Sequence, residues 1–126
     1  DGARGINDPL ASAIHLIAGS AVALELHMNA STNPEARGVE VISLPAQKAA
    51  AQRIAQCIAK GLNTRTRGDA GWIDQSQSAR GRLGFVQRGG LVVEVCFISN
   101  PTELAAYQAL HWNVASAIVD AVAPLT

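Results

Sequence analysis

An apolar run with a single carboxylate in its middle constrains this chain more than any other feature. Residues 91–98 read LVVEVCFI, so Glu94 stands among β-branched and aliphatic residues that favour an interior strand. Burying a carboxylate is strongly unfavourable unless a partner satisfies it. The strand runs into Asn100-Pro101, a typical helix start with Asn100 as the N-cap. Glu94 is therefore paired, solvated at the strand end, or functional.

The composition predicts one compact domain over residues 1–126. Hydrophobic residues make up 48% of the chain and charged residues 16%, which is typical of a globular protein. The formal net charge is zero, which argues against binding to nucleic acid. No apolar run approaches the ~20 residues of a membrane span, and the polar start DGAR does not resemble a signal peptide. Cys57 and Cys96 are expected to be buried thiols without a disulfide.

A second strand is predicted over residues 21–28 and ends in two polar side chains. Glu25 and His27 are two residues apart, so they share one face of this strand. Residues 38–43 are predicted to form a third, short strand. Helices are expected to begin at Asp8, Pro45 and Asn100. This alternation predicts an α/β fold with a mostly parallel sheet flanked by helices on both faces.

Residues 63–90 form the least regular part of the sequence. They hold five of the eight arginines and are rich in glycine. A loop of this length is either a solvated surface segment or a rim that binds an anionic ligand. Within it, residues 83–86 (LGFV) predict a small helical turn or a strand.

His27 and Glu94 each lie near the carboxyl end of a predicted core strand, where open α/β sheets place their chemistry. If the two strands are neighbours, the two side chains project toward one rim. A neutral imidazole is a good zinc ligand, and a carboxylate can act as a general base toward water. One histidine and one glutamate are, on their own, a weak signal.

Three short phrases sharpen this hypothesis because they occur in a fixed order. They are LHMNA at residues 26–30, GVEV at residues 38–41 and VEVCFISNP at residues 93–101. Together they resemble the zinc-dependent N-acetylmuramoyl-L-alanine amidases of the Amidase_3 class, found in phage endolysins and bacterial cell-wall amidases. The resemblance covers nearly all of residues 8–122 and implies an amidase fold similar to that of zinc exopeptidases.

The resemblance implies that His27 is a zinc ligand and that Glu94 is the catalytic carboxylate. The implied reaction is hydrolysis of the amide between N-acetylmuramic acid and the L-alanine of the stem peptide. Zn²⁺ would polarise the carbonyl group and activate water, and Glu94 would move the proton to the leaving amine.

Candidate contacts to the peptidoglycan substrate are Arg80, Arg82 and Asn29. The arginines could bind carboxylates of the stem peptide. Glu25 is expected to line the site as a polar group that supports His27.

The sequence departs from the family pattern in two ways. Cys96 stands where the family usually has glycine, and a cysteine there is expected to be tolerated by packing. The family's opening Gly-His-Gly-Gly phrase and a following helical glutamate, which supply the first two zinc ligands, have no counterpart here. The resemblance therefore implies that further ligands lie upstream of Asp1. Residues 1–126 would be the C-terminal part of the catalytic domain, without its first strand-helix portion, and a missing segment or another chain would complete the site.

Two other functions remain open. The first is a non-catalytic module with a degenerate amidase fold that binds peptidoglycan. The second, more remote, is a zinc peptidase of the carboxypeptidase type. A cell-wall substrate implies action in the periplasm or outside the cell. Metal content and amide cleavage distinguish these functions.

Overall fold

The structure is a computed structural model that describes residues 9–125, without the side chains of Leu10 and Ala13. Asp8, the expected start of the first helix, lies outside the described residues. The helices are α1 (Leu10–His15), α2 (Lys48–Gly61), α3 (Gly84–Gln87) and α4 (Pro101–Val122). The strands are β1 (Leu24–Asn29), β2 (Glu40–Ser43), β3 (Trp72–Asp74) and β4 (Leu91–Phe97). Single 3₁₀ turns span Pro45–Gln47, Gln75–Gln77 and Ala123–Leu125.

The four strands form one mixed sheet in the order β1-β4-β2-β3. The pairs β1–β4 and β2–β3 are parallel, whereas β2 and β4 are antiparallel. The predicted α/β sheet with flanking helices is confirmed, and two of its three pairings are parallel. The sequence did not indicate β3, because three residues are too short to establish a period-two pattern.

Helices α2 and α4 cover one face of the sheet and enclose the larger part of the core. Ile54 and Ile58 of α2 are fully buried there against Val41 of β2 and Val93 of β4. These positions follow the helical and strand periods of the sequence, so burial of the apolar residues accounts for the register of both elements.

The second face of the sheet is only partly covered. Phe85 and Val86 of α3 pack on Ile42 and Val92 at one end of this face, with Ile14 of α1 beside them. The helical alternative for residues 83–86 is thus confirmed. Glu94, two residues after Val92 on β4, lies beyond this apolar cluster. The uncovered half of the face is where polar side chains gather.

The chain after α2 returns to the edge of β2 and binds it through backbone groups. The amide of Val39 donates to the carbonyl of Arg65 (2.9 Å), and the amide of Arg67 donates to the carbonyl of Val39 (2.9 Å). A Cβ on Gly38 would lie 2.8 Å from the Arg65 carbonyl oxygen, and its φ of +114° also favours glycine. This close approach carries Arg67 to the uncovered face.

Among the described helices, none is both long enough and apolar enough to cross a membrane.

Candidate active site

Three titratable side chains form a row across the uncovered half of the second sheet face. We call them the cross-strand row, and they are His27, Glu94 and Glu40. His27 of β1 is paired in register with Glu94 of β4, and Glu94 is paired in register with Glu40 of β2. Residues that are directly paired on adjacent strands project from the same face of a sheet. The backbone pairing therefore brings together the two residues that the sequence singled out and adds a third.

Glu94 is buried, with only 1% of its surface exposed. Its Oε1 accepts an ion-pair contact from Nη2 of Arg80 at 3.0 Å. Its Oε2 is buried and has no hydrogen-bond partner within the described part of the chain. Burial raises the pKa of Glu94, and the positive charge of Arg80 only partly offsets this effect. A buried carboxylate with a raised pKa and one unengaged oxygen is suited to accept a proton.

His27 is bound by Glu25 from its own strand. The ring Nε2 lies 2.8 Å from Oε1 of Glu25, and about one third of each side chain is exposed (33% and 34%). The contact follows from their two-residue spacing and fixes the orientation of the ring. It places Glu25 where the sequence analysis expected a supporting group, although that role stays a prediction.

Glu40 is held from both sides. Its Oε1 accepts from Nδ2 of Asn29 (3.1 Å), and its Oε2 accepts from Nε of Arg67 (2.7 Å). The guanidinium of Arg67 also lies over the ring of Phe97, with Cζ 4.9 Å from the ring centroid. Together these contacts form a connected polar network beside Glu94.

Neither Glu40 nor Arg67 was identified as a site residue from the sequence. A signal for Glu40 was present, because Val39 and Val41 face the core and the residue between them must face the other way. Arg67 gave no such signal, since it is one of several arginines in an irregular segment.

A cavity of about 320 Å³ opens beside the cross-strand row. Glu94 and Glu40 line it, as do the predicted substrate contacts Asn29 and Arg80. Arg82, the third predicted contact, is not part of the wall; its Nη2 donates to Oε1 of Gln87 at 2.8 Å. His27 is a neighbour of Glu94 in the sheet but is also not part of the wall.

Further polar side chains from the loop after β1 and from the segment between α2 and α3 complete the wall. These residues are Ser31, Arg67, Gln77 and Ser78.

Cys96 lies away from the site, in the core between the sheet and its larger helix layer. Its Sγ is 3.4 Å from Sδ of Met28, and burial raises its pKa to about 11. The strand register shifts between His27 and Asn29, so that Phe97 is aligned with Asn29. Cys96 is therefore the buried thiol that the sequence predicted, and Phe97 takes the position facing the cavity.

The residues present do not by themselves fit a zinc ion. Between residues 9 and 125, no three His, Cys, Asp or Glu side chains are grouped so that they could hold a metal. Catalytic zinc sites normally use three protein ligands and keep one position open. His27 supplies one imidazole, and its Nε2 is already engaged by Glu25.

The family model described as N-acetylmuramoyl-L-alanine amidase (Amidase_3) matches residues 10–124. A solved structure from Neisseria meningitidis, assigned as an N-acetylmuramoyl-L-alanine amidase, superposes with a TM-score of 0.85 at 40% sequence identity. The match covers 93% of this chain and 64% of that one. No curated protein matches the chain by sequence.

Two more distant structures share the fold. AmiC2 of Nostoc punctiforme, an N-acetylmuramoyl-L-alanine amidase, has a TM-score of 0.70 at 15% identity, covering 94% of this chain and 66% of its own. The CwlD amidase of Clostridioides difficile, solved in complex with the GerS lipoprotein, has a TM-score of 0.65 at 16% identity, covering 92% and 60%. This chain thus spans less than two thirds of the length of the Neisseria protein.

Proposed function

Because this chain belongs to the N-acetylmuramoyl-L-alanine amidase family, we propose that it forms part of a peptidoglycan hydrolase. The enzyme would cleave the amide between N-acetylmuramic acid and the L-alanine of the stem peptide. The observation that carries this proposal is Glu94, a buried carboxylate with one unengaged oxygen at the wall of a cavity.

Glu94 is proposed as the general base. Its Oε2 takes a proton from a water molecule whose oxygen attacks the carbonyl carbon of the lactyl group. The C–N bond then breaks, and Glu94 returns the proton to the nitrogen of L-alanine, which leaves as an amine. A carboxylate whose pKa is raised by burial suits both steps, because it holds the proton between them.

We propose Zn²⁺ as the cofactor and His27 as one of its ligands. When bound, zinc supplies a Lewis acid that polarises a carbonyl group and makes water more acidic. Since His27 alone cannot hold the ion, the other ligands would come from residues other than those described. Binding through Nε2 of His27 requires that Glu25 move away from this atom.

The proposed partners follow from the substrate. Peptidoglycan lies outside the cytoplasmic membrane, so the proposed site of action is the periplasm or the cell exterior. Asn29 and Arg80 line the cavity and remain proposed substrate contacts, whereas Arg82 would have to leave Gln87 to take part. A further segment or another chain is proposed to complete the metal site.

The test is cleavage of a purified muropeptide by the intact protein, analysed by mass spectrometry. We expect a free peptide that begins with L-alanine, loss of activity with a chelator, and recovery with zinc. Release of the peptide's C-terminal residue instead would indicate a carboxypeptidase and contradict the proposal.

A second candidate is a non-catalytic module that binds peptidoglycan. The observation in its favour is that residues 9–125 hold no three-ligand metal group. Tight muropeptide binding without any cleavage by the zinc-supplemented protein would establish this function and exclude the hydrolase.

A further inference from the structure

Arg67 is anchored to the sheet through its backbone. Its amide donates to the carbonyl of Val39 (2.9 Å), and its carbonyl accepts from the amide of Gly71 (2.8 Å). The first bond ties Arg67 to the residue before β2, and the second closes a turn before β3. The Cα position of Arg67 is therefore fixed relative to the cross-strand row.

The guanidinium of Arg67 is fixed as well. Nε donates to Glu40 (2.7 Å), and Cζ lies 4.9 Å from the centroid of the Phe97 ring. Glu40 cannot easily turn away, because its other oxygen is bound by Asn29. An arginine held in this way loses little further freedom when it binds a ligand, so its contact with the ligand is strengthened.

The two terminal nitrogens of Arg67 remain available. Within the described chain neither Nη1 nor Nη2 donates a hydrogen bond to another residue, since the polar contact of this side chain is made by Nε. The side chain is 37% exposed and lines the same cavity as Glu94. The planar pair of terminal N–H groups matches the two oxygens of a carboxylate.

The other arginines near the site are differently engaged. Arg80 contacts Glu94, and Arg82 donates to Gln87. Arg65 points elsewhere, with its Nε 3.4 Å from the carbonyl of Arg37, and it does not line the cavity. Arg67 is thus the cation of the cavity wall whose terminal donors have no partner among the described residues.

We propose that Arg67 binds a free carboxylate on the peptide part of the substrate and thereby positions the scissile amide beside Glu94. The inference rests on the proposed function, because it assumes a peptide-bearing substrate in this cavity. The main contact to a peptide carboxylate is thus assigned to Arg67, and no longer to Arg80 or Arg82.

The test compares two muropeptides that differ at one group. One carries a free carboxylate on the residue after L-alanine, and the other carries a carboxamide there. In the intact, zinc-supplemented protein, Arg67→Gln is expected to raise KM for the carboxylate form by about 10- to 100-fold, as loss of a charged hydrogen bond implies. The KM and kcat for the carboxamide form, which has no carboxylate for Arg67 to bind, should change less than about threefold. Arg65→Gln, two residues away and outside the cavity wall, serves as the control and should change neither substrate.

A binding measurement separates this inference from the proposed function. Calorimetry with Glu94→Gln protein, with and without Arg67→Gln, gives the dissociation constants of both muropeptides without turnover. Arg67→Lys keeps a positive charge near Glu40 but lacks the planar pair of terminal N–H donors. It should therefore show the same selective loss of affinity for the carboxylate muropeptide, even if Arg67→Gln folds poorly.

Three outcomes decide the matter. Cleavage that discriminates carboxylate from carboxamide through Arg67 supports both the inference and the proposed function. Binding that discriminates through Arg67, without cleavage by the protein that retains Glu94, supports the inference and overturns the hydrolase. Equal effects of Arg67→Lys on both muropeptides, or no effect on either, overturn the inference while leaving the hydrolase standing if cleavage occurs.

Discussion

His27 and Glu94 lie side by side, in register, on adjacent parallel strands. No loop is needed to bring this imidazole and this carboxylate together, because the hydrogen bonds between β1 and β4 do so. The same pairing continues from Glu94 to Glu40 on β2. The three groups of the proposed chemistry are therefore positioned by paired strands and not by loops.

Replacing Glu94 with glutamine is expected to lower kcat by about 10²- to 10⁴-fold, the usual contribution of a general base. Muropeptide binding should persist, since the amide has nearly the same shape. Steady-state kinetics and calorimetry check the two parts. Glu35→Gln, at an exposed position, is the control. Retention of kcat by Glu94→Gln would remove Glu94 from the proposed mechanism.

The same substitution should stabilise the metal-free protein at neutral pH. Burial raises the pKa of Glu94 in the folded state, so folding favours the protonated form. The contribution of Glu94 to the free energy of unfolding is fully present below its unfolded pKa of about 4.3. It is lost as the pH rises through the folded pKa. The free energy of unfolding of Glu94→Gln, minus that of the unsubstituted protein, should thus increase from about pH 4 upward and then level off. Urea denaturation across this range measures it, and a difference that falls with pH would contradict the assignment.

Replacing Arg80 with glutamine should move the acid limb of the kcat/KM profile to higher pH. The positive charge of Arg80 lowers the pKa of Glu94, so its removal raises that pKa further. Glu94 acts as a base only when deprotonated, and a higher pKa therefore requires a higher pH. Arg88→Gln, at an exposed position directly after α3, is the control. An acid limb that stays in place would show that Arg80 does not influence the base.

Replacing Glu40 with glutamine should move the same limb in the opposite direction. The negative charge of Glu40 raises the pKa of Glu94, so neutralising it lowers that pKa. The change also removes the charge that pairs with Arg67, and KM should rise along with the shift. Observing shifts of the same sign for Arg80→Gln and Glu40→Gln would refute the electrostatic account of the row.

Replacing His27 with alanine should reduce the zinc bound by the intact protein. Mass spectrometry of the dialysed protein gives the metal content. Glu25→Gln is expected to weaken zinc binding by about 10- to 100-fold if zinc binds Nδ1 of His27 while Glu25 keeps Nε2 and orients the ring. His111→Ala is the control, since His111 is exposed on α4. An unchanged zinc content in His27→Ala would eliminate His27 as a ligand.

The sequence predicted those features of the site that depend on local patterns, but not those that depend on contacts between distant residues. The apolar pattern of residues 91–98 predicted β4, and the two-residue spacing of Glu25 and His27 predicted their shared face. The hypothesis assumed the pairing that makes His27 and Glu94 neighbours and did not predict it. Strand partners depend on contacts distant in sequence, and the antiparallel insertion of β2 beside β4 left no local trace.

The arginines show the same division. Composition indicated that residues 63–90 could form a cationic rim, but it could not distinguish Arg67 from Arg82. Their different surroundings arise from the backbone bonds between Val39 and Arg67 and from the contact of Arg82 with Gln87. Neither interaction follows from propensity or periodicity, so the residue proposed to bind substrate could be identified only from the structure.

The cross-strand row has a consequence for how this site could change. Neighbouring strands are about 4.8 Å apart because their backbone hydrogen bonds set that spacing, whatever side chains they carry. A substitution at one position of the row therefore exchanges a chemical group without altering the distance between the backbones of its neighbours. Mutation can vary acidity, charge or metal affinity one strand at a time on a constant spacing. Such a site can be redesigned one side chain at a time on a constant backbone, while each new group also changes the electrostatics of its neighbours.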